Sequence, residues 1–257
     1  APMGAEFVFA PGPMLVNAIR DVVDLEQLHT YDVADELPFI AETFRLVRAS
    51  LGGALPVLGF AGAPLTLLAF ILEEGSFGVH AHKAVLFLRD QPEEARTLLD
   101  KLTDMTIDYL KLQIGAGADA VQVFESAANL LTPAQYATWA LPYQQRVFEA
   151  LRGMAPTIVF ARDWADADPL HESGADILSL SEKVRIADVR SKFGEGQVVQ
   201  GNLDNRLLVN GSKEEIAEAA RACVEEGGHR GHIFNLSHGL LRETPFENVE
   251  HLIAVVK

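Results

Sequence analysis

A single cysteine, Cys223, among 257 residues excludes an intrachain disulfide and any zinc site built from several cysteines. Positive charge is scarce too: 21 Lys and Arg against 36 Asp and Glu leave a net charge of −15. Phosphate backbones need a basic stripe, and none is present, so nucleic-acid binding is excluded as a function class. Long apolar runs are also missing. The longest, such as residues 65–72, are interrupted by Thr66 and stop at Glu73-Glu74, well short of the roughly 18 residues of a membrane span. No basic-then-apolar pattern opens the chain. The expectation is a cytoplasmic protein with neither a membrane nor a nucleic-acid partner. The acidity has a further implication: a small anionic ligand would approach against the global field, so its pocket needs locally concentrated Arg or His.

What the chain does have is core-forming residues. Hydrophobic side chains make up 49%, enough for one large α/β domain over residues 1–257. Residues 1–33 show little periodicity beyond a short strand over 6–10 and a turn at Pro11-Gly12-Pro13. Asp35-Glu36 opens a helix with apolar positions at Phe39, Ile40, Phe44, Val47 and Leu51, closed by Gly52-Gly53. Pro56-Val-Leu-Gly-Phe60 reads as a strand entering Ala61-Gly-Ala-Pro64, and helices follow over residues 64–74, 80–89 and 92–115. Gly62 belongs to no phosphate-cradling motif, because neither the dinucleotide nor the P-loop spacing is present. Gly117-Ala-Asp and Gly174-Ala-Asp each lead from a helix end into a strand, the mark of repeated βα units. Between them lie a helix starting at Thr132-Pro133, bent at Pro142, and a strand over 157–160. Capping boxes are expected at Ser212…Glu215 and Thr244…Glu247.

Six strands, near Val57, Val121, Ile158, Ile177, Val198 and Ile233, are each followed by a helix, which predicts a parallel sheet with helical crossovers. The last, residues 232–236, reads as a buried strand ending in Ser237-His238-Gly239. The fold expected is a TIM (β/α)8 barrel with about six of its eight units in this chain, the two N-terminal ones preceding Ala1.

In a barrel, function sits where strands end in βα loops. Those positions are Phe60 with Gly62, Phe124 with Ser126, Arg162 with Asp163, Ser181, Asn202 with Asp204, and Asn235 with His238. Glu125, Asp163 and Asp204 read as partners for loop amides or arginines rather than as general acids. His80-Ala-His82 has a spacing that can serve a metal, but lies on a polar face without a third ligand. Cys223 reads as a packed small residue within a helix.

Several segments carry a resemblance. They are Gly59-Phe-Ala-Gly-Ala-Pro64 followed by Thr66-Leu67 and Glu73, Phe124-Glu-Ser126, Leu141-Pro-Tyr143, Gln200-Gly-Asn-Leu-Asp204, and Asn235-Leu-Ser-His-Gly239 with Glu243-Thr-Pro245. In order and spacing they resemble the signature segments of uroporphyrinogen decarboxylase. The opening Ala1-Pro-Met-Gly with Pro11-Gly-Pro resembles the stretch after that family's second barrel strand. The resemblance implies a homodimeric TIM barrel that decarboxylates the four acetate side chains of a cyclic tetrapyrrole without a cofactor or metal. It implies that Phe60 and Phe124 are pocket walls and that Ser126 and His238 contact substrate carboxylates or pyrrole edges. Phe70 stands where the family has a substrate-binding tyrosine.

Arg162-Asp-Trp-Ala replaces a glycine-rich loop and Ser181-Glu-Lys a Leu-Asp-Trp type segment. The family's arginine-rich loop and its key aspartate fall in the region that would precede Ala1, so no catalytic residue is assigned within the chain. Two alternatives remain: a catalytically impaired homologue acting as a structural or interaction subunit, and a zinc-dependent methyltransferase of the same superfamily, for which one cysteine supplies too few ligands.

Overall fold

The computed structural model describes residues 3–9, 13–16, 24–25, 27–75 and 81–257. A small antiparallel sheet pairs β1 (Phe7–Phe9) with β2 (Pro13–Leu15). The strand expected over 6–10 is thus one arm of a hairpin, and its Pro11-Gly12 turn lies outside the described residues. The large sheet contains β3 (Leu58–Gly62), β4 (Ala120–Glu125), β5 (Thr157–Ala161), β6 (Ile177–Ser179), β7 (Val198–Gln200) and β8 (His232–Ile233). These six strands are parallel and stand side by side in chain order.

The sheet curls. β4 and β7 are separated by two strands, which in a flat sheet would hold them about 14 Å apart with their side chains perpendicular to it. Yet Gln200 Nε2 donates to Gln122 Oε1 at 3.3 Å, so both side chains lie inside an arc. This is the wall of an α/β barrel, with six of its βα units, as the strand count predicts. The side chains on the other face, Val121, Val123, Val159, Leu178 and Val199, have no exposed surface. Strands buried on both faces read as unbroken apolar runs, which is how β5 reads.

The helices are α1 (Val33–Glu36), α2 (Pro38–Leu51), α3 (Pro64–Leu72), α4 (His82–Asp90), α5 (Pro92–Gly115), α6 (Pro133–Trp139) and α7 (Leu141–Leu151). After them come α8 (Asp168–Glu172), α9 (Ile186–Phe193), α10 (Leu207–Asn210), α11 (Lys213–Gly227) and α12 (Phe246–Val256). The break expected at Pro142 falls at Ala140, which separates α6 from α7. The Gly-Ala-Asp repeat has a common mechanism. Gly117 (φ 105°) and Gly174 (φ 83°) take left-handed turns that an L side chain would resist. The aspartate then accepts an N–H at the entry to the neighbouring strand. Asp119 Oδ2 accepts from Val57 N at 2.7 Å, and Asp176 Oδ2 accepts from Thr157 N and Oγ1 at 2.8 and 2.9 Å.

Four local expectations need correction. The helix expected from Asp35 is two helices, because Asp32 caps α1 and the chain bends at Leu37 before Pro38 begins α2. The apolar stripe of α2 does not enter the core: none of its residues is buried and Phe39 is 59% exposed. Only Phe44 among them packs against the main core. The strand at 232–236 shortens to two residues, with Ile233 41% exposed. As an edge strand it is paired on one side only, by β7, and beyond Ile233 the pairing resumes only as an isolated parallel bridge between Leu203 and Leu236. Thr244 caps nothing. Pro245 is the N-cap of α12, and Thr244 Oγ1 is buried without a partner. The Ser212–Glu215 capping box is present, and Thr132 with Gln135 forms another.

Candidate active site

Strand pairing aligns Gly62, Phe124, Phe160, Ser179 and Gln200 as one row across the sheet, with Phe60, Gln122 and Ile158 one layer below. The inner face therefore carries a chain of rings. Phe60 meets Phe124 edge-on at 6.1 Å, Phe124 meets Phe160 at 5.5 Å, and Phe160 meets His238 edge-on at 5.9 Å. Edge-to-face contact of this kind sets the ring planes as well as their separation. Phe60 is 63% exposed and leaves one end of the chain open, while Phe160 is buried. Beside the rings Gln200 Nε2 also donates to Ser179 Oγ at 3.0 Å. The result is an apolar wall with a hydrogen-bonded polar patch.

His238 is aimed by a clasp between two loops. Leu203 N donates to Asn235 O at 3.1 Å, Ser237 N to Leu203 O at 2.7 Å, and Asn205 Nδ2 to Gly239 O at 2.7 Å. These bonds bracket His238 on both sides and fix its backbone independently of β8. Ser237 Oγ is buried without a protein partner. Below the clasp, Gly201 O accepts from His232 at 2.5 Å and from the buried thiol of Cys223 at 3.5 Å. Burial pushes that thiol above its ordinary value, the opposite of what a reactive cysteine needs.

Phe60, Phe124 and His238 are thus brought together, although Phe60 does not end its strand: β3 runs on to Gly62, and His238 lies five residues beyond β8. Ser126 follows the same strand end, half-buried, with its N–H donated to Thr66 Oγ1 at 2.7 Å. Phe70 is not part of the ring chain. Carried by α3, it lines an apolar cavity of about 470 Å³ with Ala61, Gly62, Leu67, Tyr31 and Tyr109. Phe160, Ser179, Gln122 and Gln200 are inner-face residues that the sequence reading did not single out.

Glu125 and Asp204 are held by protein partners, while Asp163 has only a loose contact. Glu125 points away from the rings into the helix layer, fully buried, where Thr66 Oγ1 donates to it at 2.6 Å and Gln144 Nε2 at 3.3 Å. Burial pushes its carboxyl up to about 7 against the opposing effect of those donors. Tyr136 OH donates to Gln144 Oε1 at 3.0 Å and its ring stacks on Trp164 at 4.5 Å, so the network buttresses the wall from behind. Asp204 accepts from Arg206, which also reaches Glu182 at 3.0 Å. Asp163 lies 3.7 Å from Arg162. His80 is outside the described residues, and His82 is exposed. Among the described residues no group of three or more His, Cys, Asp or Glu is placed to hold a metal ion, and no helix is long and apolar enough to cross a membrane.

The family model of uroporphyrinogen decarboxylase (URO-D) matches residues 1–257. The uroporphyrinogen decarboxylase of Geobacter sulfurreducens is 34% identical over 258 residues, covering 99% of this chain and 75% of that protein. That of Syntrophotalea carbinolica is 37% identical over 257 residues, covering 99% and 74%. Among solved structures, a methyltransferase from Methanosarcina mazei superposes with a TM-score of 0.78 at 21% identity, over 99% of this chain and 75% of that one. A B12-independent methionine synthase from Shewanella sp. W3-18-1 gives 0.59 at 15% identity, over 98% and 72%. The two structural likenesses concern the fold alone.

Proposed function

This chain belongs to the uroporphyrinogen decarboxylase family, and from that premise we propose that it acts in cofactor-independent decarboxylation of the acetate side chains of uroporphyrinogen, giving coproporphyrinogen. The observation that carries the proposal is the inner ring chain Phe60–Phe124–Phe160–His238, open at Phe60, in a chain matched to the family along its length.

The chemistry suits such a surface. A pyrrole that takes a proton becomes a cation next to its acetate. The bond between the acetate methylene and its carboxylate then breaks, CO2 departs, and the electron pair enters the ring system. The exocyclic carbon then takes a proton while the ring gives up the one it gained, leaving a methyl group. Each acetate therefore exchanges CO2 for one proton, and the substrate itself holds the electrons, so no cofactor is required. The protein's task is to orient the macrocycle and to stabilise the cation more than the neutral ring. Phe60, Phe124 and Phe160 supply apolar walls. His238 and Ser126 supply hydrogen bonds to carboxylates or pyrrole edges. None of these groups, nor Gln122, Ser179 or Gln200 beside them, is a carboxylate, so the proposal gives them binding and orienting roles. A homodimer and a cytoplasmic location belong to the same proposal, and sedimentation tests the first. The reading as an interaction subunit is not favoured, since the similarity runs along the whole chain to proteins named for the enzyme.

The test is anaerobic incubation with uroporphyrinogen, followed by oxidation and chromatographic separation of the porphyrins by carboxylate number. Products stepping from eight carboxylates toward four support the proposal. Absence of both turnover and binding sinks it.

A further inference from the structure

Arg162 is a half-buried cation on the rim with little to do. The ladder runs one residue beyond β5, as Arg162 N donates to Glu125 O at 3.0 Å. The alternation that turns Phe160 inward therefore turns Arg162 inward as well, one layer nearer the mouth. Its side chain is 35% exposed, yet Nε is buried and makes no hydrogen bond. The one ion-pair neighbour it has among the described residues is Asp163, whose Oδ2 lies 3.7 Å away, beyond hydrogen-bond reach. Asp163 is anchored by other means: its carbonyl accepts from Lys183 Nζ at 3.2 Å.

Arg206, on the same rim, shows the contrast. Its guanidinium is engaged by Asp204 at 2.9 Å and Glu182 at 3.0 Å. In a chain of net charge −15, a guanidinium with unmet donors beside an open aromatic wall is the locally concentrated positive charge that an anionic ligand requires.

We propose that Arg162 is a substrate-binding residue that takes a side-chain carboxylate of the tetrapyrrole in its guanidinium fork, displacing the loose contact with Asp163; this rests on the decarboxylase reading above. An arginine fork matches a carboxylate with two parallel hydrogen bonds, which a lysine cannot reproduce. The same geometry discriminates among substrates. A porphyrinogen with fewer carboxylates loses the contact once the group facing Arg162 has gone.

The experiment titrates uroporphyrinogen into the full chain and its variants without oxygen, with thermal unfolding of each as a control. Arg162→Gln is expected to raise Kd and KM by about tenfold or more, the range for losing a charged hydrogen bond, while kcat and Tm change little. Arg162→Lys should recover part of the loss, and the salt dependence of Kd should be shallower in Arg162→Gln than in the unmodified chain. Asp163→Asn, which removes the competing carboxylate and keeps the Lys183 contact to the backbone, should tighten binding. It decides the matter if Arg162→Gln does not fold. A Kd for Arg162→Gln within twofold of the unmodified chain overturns the assignment and leaves the decarboxylase reading standing, as does an Asp163→Asn chain that binds no tighter. An unmodified chain that neither binds nor turns over uroporphyrinogen overturns both.

Discussion

At the lower end of the parallel sheet the aspartates of the two Gly-Ala-Asp turns accept an N–H at the entry to a neighbouring strand. At the upper end Arg162 Nε and Ser237 Oγ are buried without protein partners, and Phe60 stands open to solvent. The Val57 N–H, with Arg48 beside it, holds the Asp119 carboxyl below the usual carboxylate range, so that turn stays charged and bonded at neutral pH. The difference teaches how one sheet divides its work. Polar groups satisfied within the protein stabilise the lower end, while those left over at the upper end are matched by a ligand or by water.

Glu125 is the test that breaks a simple top-versus-bottom division, because it sits at the upper end and is wholly internal. Its folded pKa, about 7, lies above its ordinary value of 4.5. The stability linked to it is therefore fully present below the ordinary value and is lost as pH rises through about 7, by on the order of 3 kcal/mol. Chemical denaturation at pH 5 and pH 8 should show a steeper loss in the native chain than in Glu125→Gln, and the substituted chain should be the more stable of the two at pH 8. Equal slopes would remove Glu125 from the account.

Next in size, Asp176→Ala leaves the buried Thr157 N–H and hydroxyl without their acceptor. It should lower unfolding stability by about 1–2 kcal/mol while tetrapyrrole affinity stays within twofold. His238→Ala should do the reverse, with affinity down roughly tenfold and the unfolding midpoint nearly unmoved, since the clasp holding residue 238 is backbone to backbone and through Asn205. An effect of comparable size is expected from Phe160→Leu, which removes two ring contacts worth about 0.5–1.5 kcal/mol each at most. It should touch stability and affinity together, because Phe160 is both core and wall.

The strands were legible because βα units repeat, and strands covered on both faces announce themselves as apolar runs. The same property hid Phe160. In Thr157-Ile-Val-Phe-Ala161 nothing alternates, so the sequence does not say which residues face the lumen. Only the register with Phe124 on β4 assigns it. Glu125 shows a second limit. A loop amide is the natural expectation, and Ala127 supplies one, but the side-chain donors come from Thr66 and Gln144, 59 and 19 residues away in the chain. Thr244 shows a third: the Ser/Thr-x-x-Glu spacing is present, but Pro245 takes the cap position and the hydroxyl is left unbonded. Phe60, Phe124 and His238 could be named in advance because each lies within two residues of the end of a recognisable strand or in the loop that follows one. Phe70 lies on a helix, where the sequence does not reveal which cavity its ring lines.

Cys223 turns the clasp region into something measurable. Its thiol is buried between α11 and the end of β7, sharing the Gly201 carbonyl with His232, and the chain has no second cysteine. A thiol reagent that adds one adduct per molecule therefore reports a single site, exposed when α11 lifts from the loop that precedes the clasp. The rate of that labelling, with and without tetrapyrrole, reads how often the wall behind His238 opens, with no substitution introduced and no residue of the ring chain disturbed.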